Sequence, residues 1–307
     1  MSQELSPQRW ANSISTVLNA AFKDDRFPVK VGQLAKDYSH QRFPDDPITD
    51  VLGDNLPGFE GALLPAADGK KGWGIIYNDT ISSPGRINFT LAHEFGHYLL
   101  HRLKYPDGIT CGEQDMTAWD SEYRQVESQA NDFAATLLMP LDDFRRQLDG
   151  RDKPDFDALG MCADRYDVSL TALILRWLQY TQRRAIVVVS RDGFILWARS
   201  SRPALKTGAF FRTANRPPIP IPDQSLAAQR NLVPGSNGTA DHDNGVWLDE
   251  PCEEMVLFSD QYDYTFSLLY LGSAPSRYGG RADFDEEPKE DTYDRMVSHT
   301  PGSSWLG

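Results

Sequence analysis

Histidines at 93, 97 and 101 share one stretch, RINFTLAHEFGHYLLH, and their four-residue spacing on an apolar background calls for a helix. Residues four apart on a helix point the same way, one turn from each other. Ser83-Pro84 just upstream is a helix start, a hydroxyl cap followed by proline at the first helical position. The helix is expected to run to about His101 or Leu103, carrying the motif in its middle. If two histidines bracketing a glutamate on one helix are to hold a catalytic metal, they need a third ligand from the protein.

Two neutral imidazoles so placed can hold one zinc ion, each Zn–N near 2.0–2.1 Å. Glu94 follows the first of them, rotated by about 100° around the axis. It can reach a water at the metal without displacing it. This is the H-E-x-x-H arrangement, in which zinc acidifies a water and the glutamate takes its proton. A catalytic zinc has three protein ligands and one open position. His101 does not suit the third: on a continuing helix it lies roughly 12 Å along the axis from His93. It is expected at the surface or in support of a ligand. The pattern in which a glycine breaks the helix and a later histidine returns is absent.

Glu127, in VESQANDFAATLLMP, is the better candidate. It sits on a second long helix, 30 residues after His97. Ala130 and Ala134 would let that helix approach the first closely. Asn131, one turn after Glu127 on the same face, can accept the spare N–H of His93 or His97 and fix its orientation. Each feature alone has a bland explanation. An amphipathic helix can contain H-E-x-x-H, and helical glutamates are usually solvated. Together they define one expected site: His93, His97 and Glu127 around one zinc ion per chain, with Glu94 as general base. His40, His242 and His299 lie in loop-like or tail sequence and read as ordinary exposed histidines.

The chain has 307 residues, room for two or three domains. Its hydrophobic share of 40% and charged share of 24% are those of a globular protein. No apolar run approaches the roughly 20 residues that span a bilayer. The N-terminus lacks a basic segment followed by an apolar core, so no signal peptide is expected. Cys111, Cys162 and Cys252 are odd in number and have no metal-type spacing, which argues against a disulfide framework. These features together point to the cytoplasm. The net charge of −13 repels nucleic acid unless a local basic patch overrides it, so direct nucleic-acid binding is not expected.

Along the chain, helices are expected over 7–25 and from Pro28, then two strands within 57–80 joined by a turn at Asp68-Gly69. After the histidine helix and a polar loop comes a helix over about 120–139, ended by Pro140. Shorter helices fill 141–182. Among them ADRYDVSLTALILRW resembles a helix-turn-helix, with a turn at Asp167-Val168 and a cap at Ser169. AIVVVSRDGFILWARS reads as two strands turning at Asp192-Gly193, and EMVLFSDQYDYTFSLLYL as another pair. Residues 200–245 look like long loops. The tail from Ser273 is polar and acidic and is expected to be poorly ordered.

RINFTLAHEFGHYLLH and ESQANDFAATLLMP, together with PVKVGQLAKDY and FEGALLPAADGKKGWGIIYNDTISSPG before them, resemble the ImmA/IrrE family of bacterial zinc metallopeptidases. The resemblance covers roughly residues 25–180. It implies zinc ligands at His93, His97 and Glu127, the catalytic base at Glu94 and the family's asparagine at Asn131. Gln129 departs mildly, standing where many members carry an acidic residue. The implied fold is α+β. A zincin-like metallopeptidase domain takes 1–140, and the helix-turn-helix-like segment takes 141–182. A C-terminal β-rich domain without an assigned role takes 183–272, and an acidic tail 273–307. Family members typically cleave or inactivate an XRE-type helix-turn-helix repressor, often encoded nearby, whose loss switches on a stress, DNA-damage or mobile-element response. The expected partner is therefore such a protein substrate, with no membrane involved.

The strand containing Trp73, Gly74 and Ile75 precedes the metal helix. In zinc peptidases of this general layout an edge strand there pairs with an extended substrate; a plain core strand is the equal alternative. Tyr98, Tyr77 and His101 come into question for stabilising the oxyanion, but helical geometry turns Tyr98 off the metal face. The competing function is a non-enzymatic regulator that binds a repressor or DNA, with a structural metal. Two features speak against it. A structural zinc has no need of Glu94, and the candidate recognition helix SLTALILRW offers only Arg176 as a basic residue.

Overall fold

Ser6 opens the first helix, α1 (Pro7–Phe22), its hydroxyl accepting from the Arg9 amide at 3.3 Å with Pro7 at the first position. The computed structural model describes residues 5–66, 70–112, 121–213, 217–232, 236–259 and 263–273. A 3₁₀ turn and α2 (Val31–Arg42) follow α1. Four strands come next in the same unit: β1 (Ile48–Asp54), β2 (Phe59–Pro65), β3 (Trp73–Asn78) and, after the central helix, β4 (Ile109–Gly112). The expected turn at Asp68-Gly69 lies outside the described residues. The sheet order is β1-β3-β2-β4, with β1 parallel to β3 and the other pairs antiparallel.

The central helix, α3 (Pro84–Leu100), begins where the sequence predicts, with the Ser83 hydroxyl 3.4 Å from the Arg86 amide. It ends at His101, whose amide still bonds to the His97 carbonyl at 2.8 Å. It is buried on nearly every side, against β2, β3, α2 and the second long helix, α4 (Ser121–Leu138). Phe95, Tyr98 and Phe133 form the aromatic core between these helices, with the Phe95 and Phe133 rings 5.6 Å apart and edge-on. Each such ring contributes roughly 1.5–3 kcal/mol by leaving water. Tyr98 points away from the histidines, its hydroxyl donating to the Asp46 carbonyl at 2.6 Å.

Two residues let α3 and α4 approach closely. Ala130 and Ala134 are fully buried on α4, as their spacing predicts. Facing them is Gly96, where an added Cβ would lie 3.0 Å from Phe133 Cδ1 and 3.3 Å from the Ala130 backbone. Valine at Gly96 carries further methyl groups into that backbone. It is expected to destabilise the chain by about 1–3 kcal/mol and to weaken metal uptake by shifting Glu127. Urea denaturation and metal analysis of the variant check both effects.

Three helices follow: α5 (Leu141–Gln147), α6 (Phe156–Tyr166) and α7 (Leu170–Tyr180). Asp167, with φ of 50°, makes the turn between the last two, and the Ser169 hydroxyl caps α7 by accepting from the Ala172 amide at 3.1 Å. Leu173, Ile174, Trp177 and Leu178 on α7 are buried, so its apolar side serves packing. These helices are shared between the chain's two compact units. Among the described residues, one unit holds the chain up to Phe144 with Met161–Leu173, and the other holds Arg145–Gly160 and the chain from Ile174 to Ser273.

The second unit is built on an antiparallel sheet of β5 (Ala185–Arg191), β6 (Phe194–Ser200), β7 (Ile219–Pro220), β8 (Asn237–His242), β9 (Cys252–Ser259) and β10 (Tyr264–Leu271), with one short helix, α8 (Arg202–Leu205). Its order is β7-β6-β5-β10-β9-β8. The AIVVV run of β5 is buried throughout, as a central strand covered on both faces must be. Among the described residues the fold is mixed α+β, with eight α-helices and two sheets.

Two expectations change here. Residues 200–245 are not all loop: they hold α8, β7 and β8. His242 is not an exposed loop histidine. It ends β8, and its Nε2 lies 2.8 Å from the buried Glu254 carboxylate, which also accepts from Trp247 Nε1, the Ser267 hydroxyl and the Leu226 and Ala227 amides. The expected disorder of the tail falls on residues outside the described ones, apart from Ser273.

Candidate metal centre

His93 and His97 stand one turn apart on α3, with their Nε2 atoms 2.8 Å apart. Glu127 on α4 reaches both, with Oε2 at 3.1 Å from His93 Nε2 and Oε1 at 3.3 Å from His97 Nε2. These three residues are the group able to hold a metal ion among the described residues. A tetrahedral ion with ligands at about 2.0–2.1 Å keeps its ligand atoms roughly 3.3 Å apart. The two histidine–carboxylate distances already match, and the histidine pair needs to open by about half an ångström. Two imidazole nitrogens and one carboxylate oxygen, turned to one point and largely shielded from water, fit a divalent metal ion.

The supporting hydrogen bonds orient both imidazoles. Asn131 Oδ1 lies 3.0 Å from His93 Nδ1, so of the two histidines it could serve, Asn131 serves His93. His97 is held differently: its Nδ1 lies 3.0 Å from Nδ1 of His101, whose Nε2 lies 2.9 Å from Gln129 Oε1. Of the two places expected for His101, the surface or in support of a ligand, it takes the second, while the place of Gln129 is not apparent from the sequence. Their signal is the spacing of His97 and His101, which repeats that of His93 and His97.

Glu94 is fully buried at the next position of α3, under Gly61 of β2. A Cβ at Gly61 would meet Glu94 Oε1 at 2.8 Å and Thr90 Cγ2 at 2.7 Å, so only glycine leaves the carboxylate its place. Gly61, too, carries no sequence signal.

Of the two equal readings of Trp73, Gly74 and Ile75, edge strand and core strand, the sheet order agrees with the second. Strand β3 is interior, hydrogen-bonded to β1 on one side and β2 on the other, and has no free backbone to offer an added strand. Ile75 is fully buried and the Trp73 indole donates to Asp46 at 2.8 Å, so these residues serve the core. Among the described residues the sheet's edges are β1 and β4, and β4 lies beside β2, the strand above Glu94.

Burial alone would lower the pKa of His93, but the Glu127 carboxylate overrides it and pushes it up to about 9. Burial and the neighbouring positive charge of His93 push His97 down to about 4, against the pull of Glu127. Burial opposes ionisation of Glu127, yet His93 and His97 hold its carboxyl well below the usual range. Without metal at neutral pH, the centre therefore holds one proton on His93, between a neutral His97 and an ionised Glu127.

A metal ion must displace that proton. Because the pKa of His93 is raised, the proton is bound below pH 9 and lost above it. Metal affinity should rise about tenfold per pH unit between neutrality and that value, then level off. Calorimetric titration of the metal-free chain at pH 7.5, in two buffers of different ionisation enthalpy, should report release of about one proton per metal bound. Release of none would mean that His93 is already neutral.

Residues 49–178 match the family model described as the IrrE N-terminal-like domain, Peptidase_M78. This is a class of metal-dependent peptidases, and the matched stretch contains His93, Glu94, His97, Glu127 and Asn131. Over these residues the chain is similar to the ImmA/IrrE family. No curated protein matches the chain. No helix among the described residues is long and apolar enough to cross a membrane.

Proposed function

We propose that the chain is a zinc-dependent endopeptidase that cleaves a protein substrate in the cytoplasm. The observation that carries this reading is the meeting of His93, His97 and Glu127 from two helices, with Glu94 buried beside them on α3. Zinc is the ion that two imidazoles and a carboxylate suit when one position stays open. Held there, it would acidify a water and polarise the substrate carbonyl. Glu94 takes the proton of the attacking water and passes it to the leaving amine. Its burial beneath Gly61 keeps bulk water from competing for that proton. An extended substrate segment is assigned to the β4 side of the sheet, next to the strand above Glu94.

The substrate that the family resemblance suggests is an XRE-type repressor encoded nearby, its cleavage releasing a stress, DNA-damage or mobile-element response. The test is to profile new protein N-termini in host cells making the wild type or Glu94→Gln. New termini in one or a few proteins with the wild type alone support the proposal. An identical profile and an identical cellular response with both chains would instead favour a regulator that acts by binding.

A further inference from the structure

Behind the candidate centre three side chains stand in line, and only the first can touch a metal. His97 turns Nε2 towards Glu127 and Nδ1 towards His101, 3.0 Å away. His101 turns its far nitrogen, Nε2, to Gln129 Oε1 at 2.9 Å. His101 is 4% exposed and His97 fully buried, so water does not compete along this line.

The donors and acceptors in the line allow one arrangement that suits a ligand. A carboxamide oxygen accepts and cannot donate, so the nitrogen facing Gln129 carries a proton. A neutral imidazole has one N–H and one bare nitrogen. With its proton on Nε2, His101 presents a bare Nδ1 to His97 and accepts from it. His97 then carries its proton on Nδ1, leaving its Nε2 lone pair facing the centre. In the reverse arrangement His101 would donate, and the His97 proton would sit on Nε2, where a ligand needs a lone pair.

We infer that Gln129 and His101 are positioning residues that set the tautomer of His97 from outside the metal's reach, as Asn131 does directly for His93. The inference rests on the metallopeptidase reading of the site. It gives a job to two residues that stand outside the metal group. It also accounts for the four-residue step from His97 to His101. One turn beyond a ligand is the place from which a side chain can face back to that ligand's outer nitrogen.

The test combines zinc affinity, by competition with a chromogenic chelator, with nitrogen-15 NMR of the His97 ring. His101→Phe keeps a ring but removes the acceptor. It should weaken zinc binding about 10–100-fold and let His97 populate both tautomers in the metal-free chain above pH 9, where His93 no longer donates to His97 Nε2. In His101→Asn the amide oxygen takes the place of the His101 Nδ1 and accepts the same N–H, so affinity should return to within about threefold of wild type. Gln129→Leu should weaken binding in the wild-type background and change nothing in the His101→Asn background, because there Gln129 no longer has a line to act through.

Unchanged affinity and an unchanged His97 spectrum in His101→Phe would overturn the inference. So would failure of a folded His101→Asn to restore binding, since the role would then be packing alone. If His101→Phe does not fold, Gln129→Leu with the same two measurements decides. If the wild type takes up no zinc, the metallopeptidase reading falls, and the metal-free spectrum judges the inference by itself. Above pH 9, where His93 is neutral, a His97 proton on Nδ1 supports it, and one on Nε2 overturns it.

Discussion

Alanine in place of Glu127 is expected to leave a chain that retains no zinc after dialysis against a mild chelator, while the wild type retains about one ion per chain. The reason is geometric. Glu127 is the single member of the group from α4 and the one that contacts both histidine nitrogens. Without it two imidazoles one turn apart remain, with Asn131 and His101 behind them. The loss extends to stability. An ion present at 100 times its dissociation constant stabilises the folded chain by about 2.7 kcal/mol. For a domain of this size that corresponds to roughly 5–10 °C of melting temperature. The wild type should lose that margin on chelation, and Glu127→Ala should melt at one temperature with or without chelator. Loss of the carboxylate removes the largest influence raising the pKa of His93, so burial favours the neutral ring against the smaller pull of Glu94 and Asn131. It should therefore fold. Ser128→Ala, an exposed neighbour on the same helix, should behave as wild type. Full zinc content in Glu127→Ala would remove the carboxylate from the ligand set.

The second large effect is expected from Glu94→Gln, a change of nearly equal size and shape. Glutamine fills the space under Gly61 but cannot accept the proton of the attacking water. Cleavage should fall by about 10²–10⁴-fold, the usual contribution of a positioned general base. Zinc content should stay unchanged, because Glu94 lies outside the three-residue metal group. The rate at which the cleaved termini accumulate, measured beside metal analysis of the same preparations, separates the two roles. A variant that cleaves normally would take the base away from Glu94. One that loses its zinc would make Glu94 part of the metal site.

The parts of the site that were legible in the sequence are those written in helical spacing. His93 and His97 lie on one face because they are four apart, and the cap at Ser83-Pro84 sets where that face begins. Glu127 and Asn131 repeat the same spacing on α4, and Ala130 and Ala134 mark where two helices can touch. Periodicity and capping are local properties, so a single chain displays them before it folds.

The strand Trp73–Asn78 shows the limit. Its residues make a clear strand, but whether a strand lies inside or at the edge of a sheet depends on its neighbours. The neighbour that encloses β3 is β1, Ile48–Asp54, a short segment with little strand character that pairs in parallel from more than 20 residues upstream. His101 shows the same limit from the other side. Measured along the helix from His93 it is too far to share a metal, and it does not share one. Its neighbour is His97, and its use depends on Gln129 arriving from another helix. Gly61 becomes necessary only because β2 crosses above Glu94. The sequence alone determined which side chains can ligate a metal and which helices carry them, because four-residue spacing and end caps act within a few turns of chain. Tertiary packing alone decided which nitrogen faces the centre, which strand is left at the edge and how closely the helices meet, because each of these depends on contacts between segments far apart in the chain.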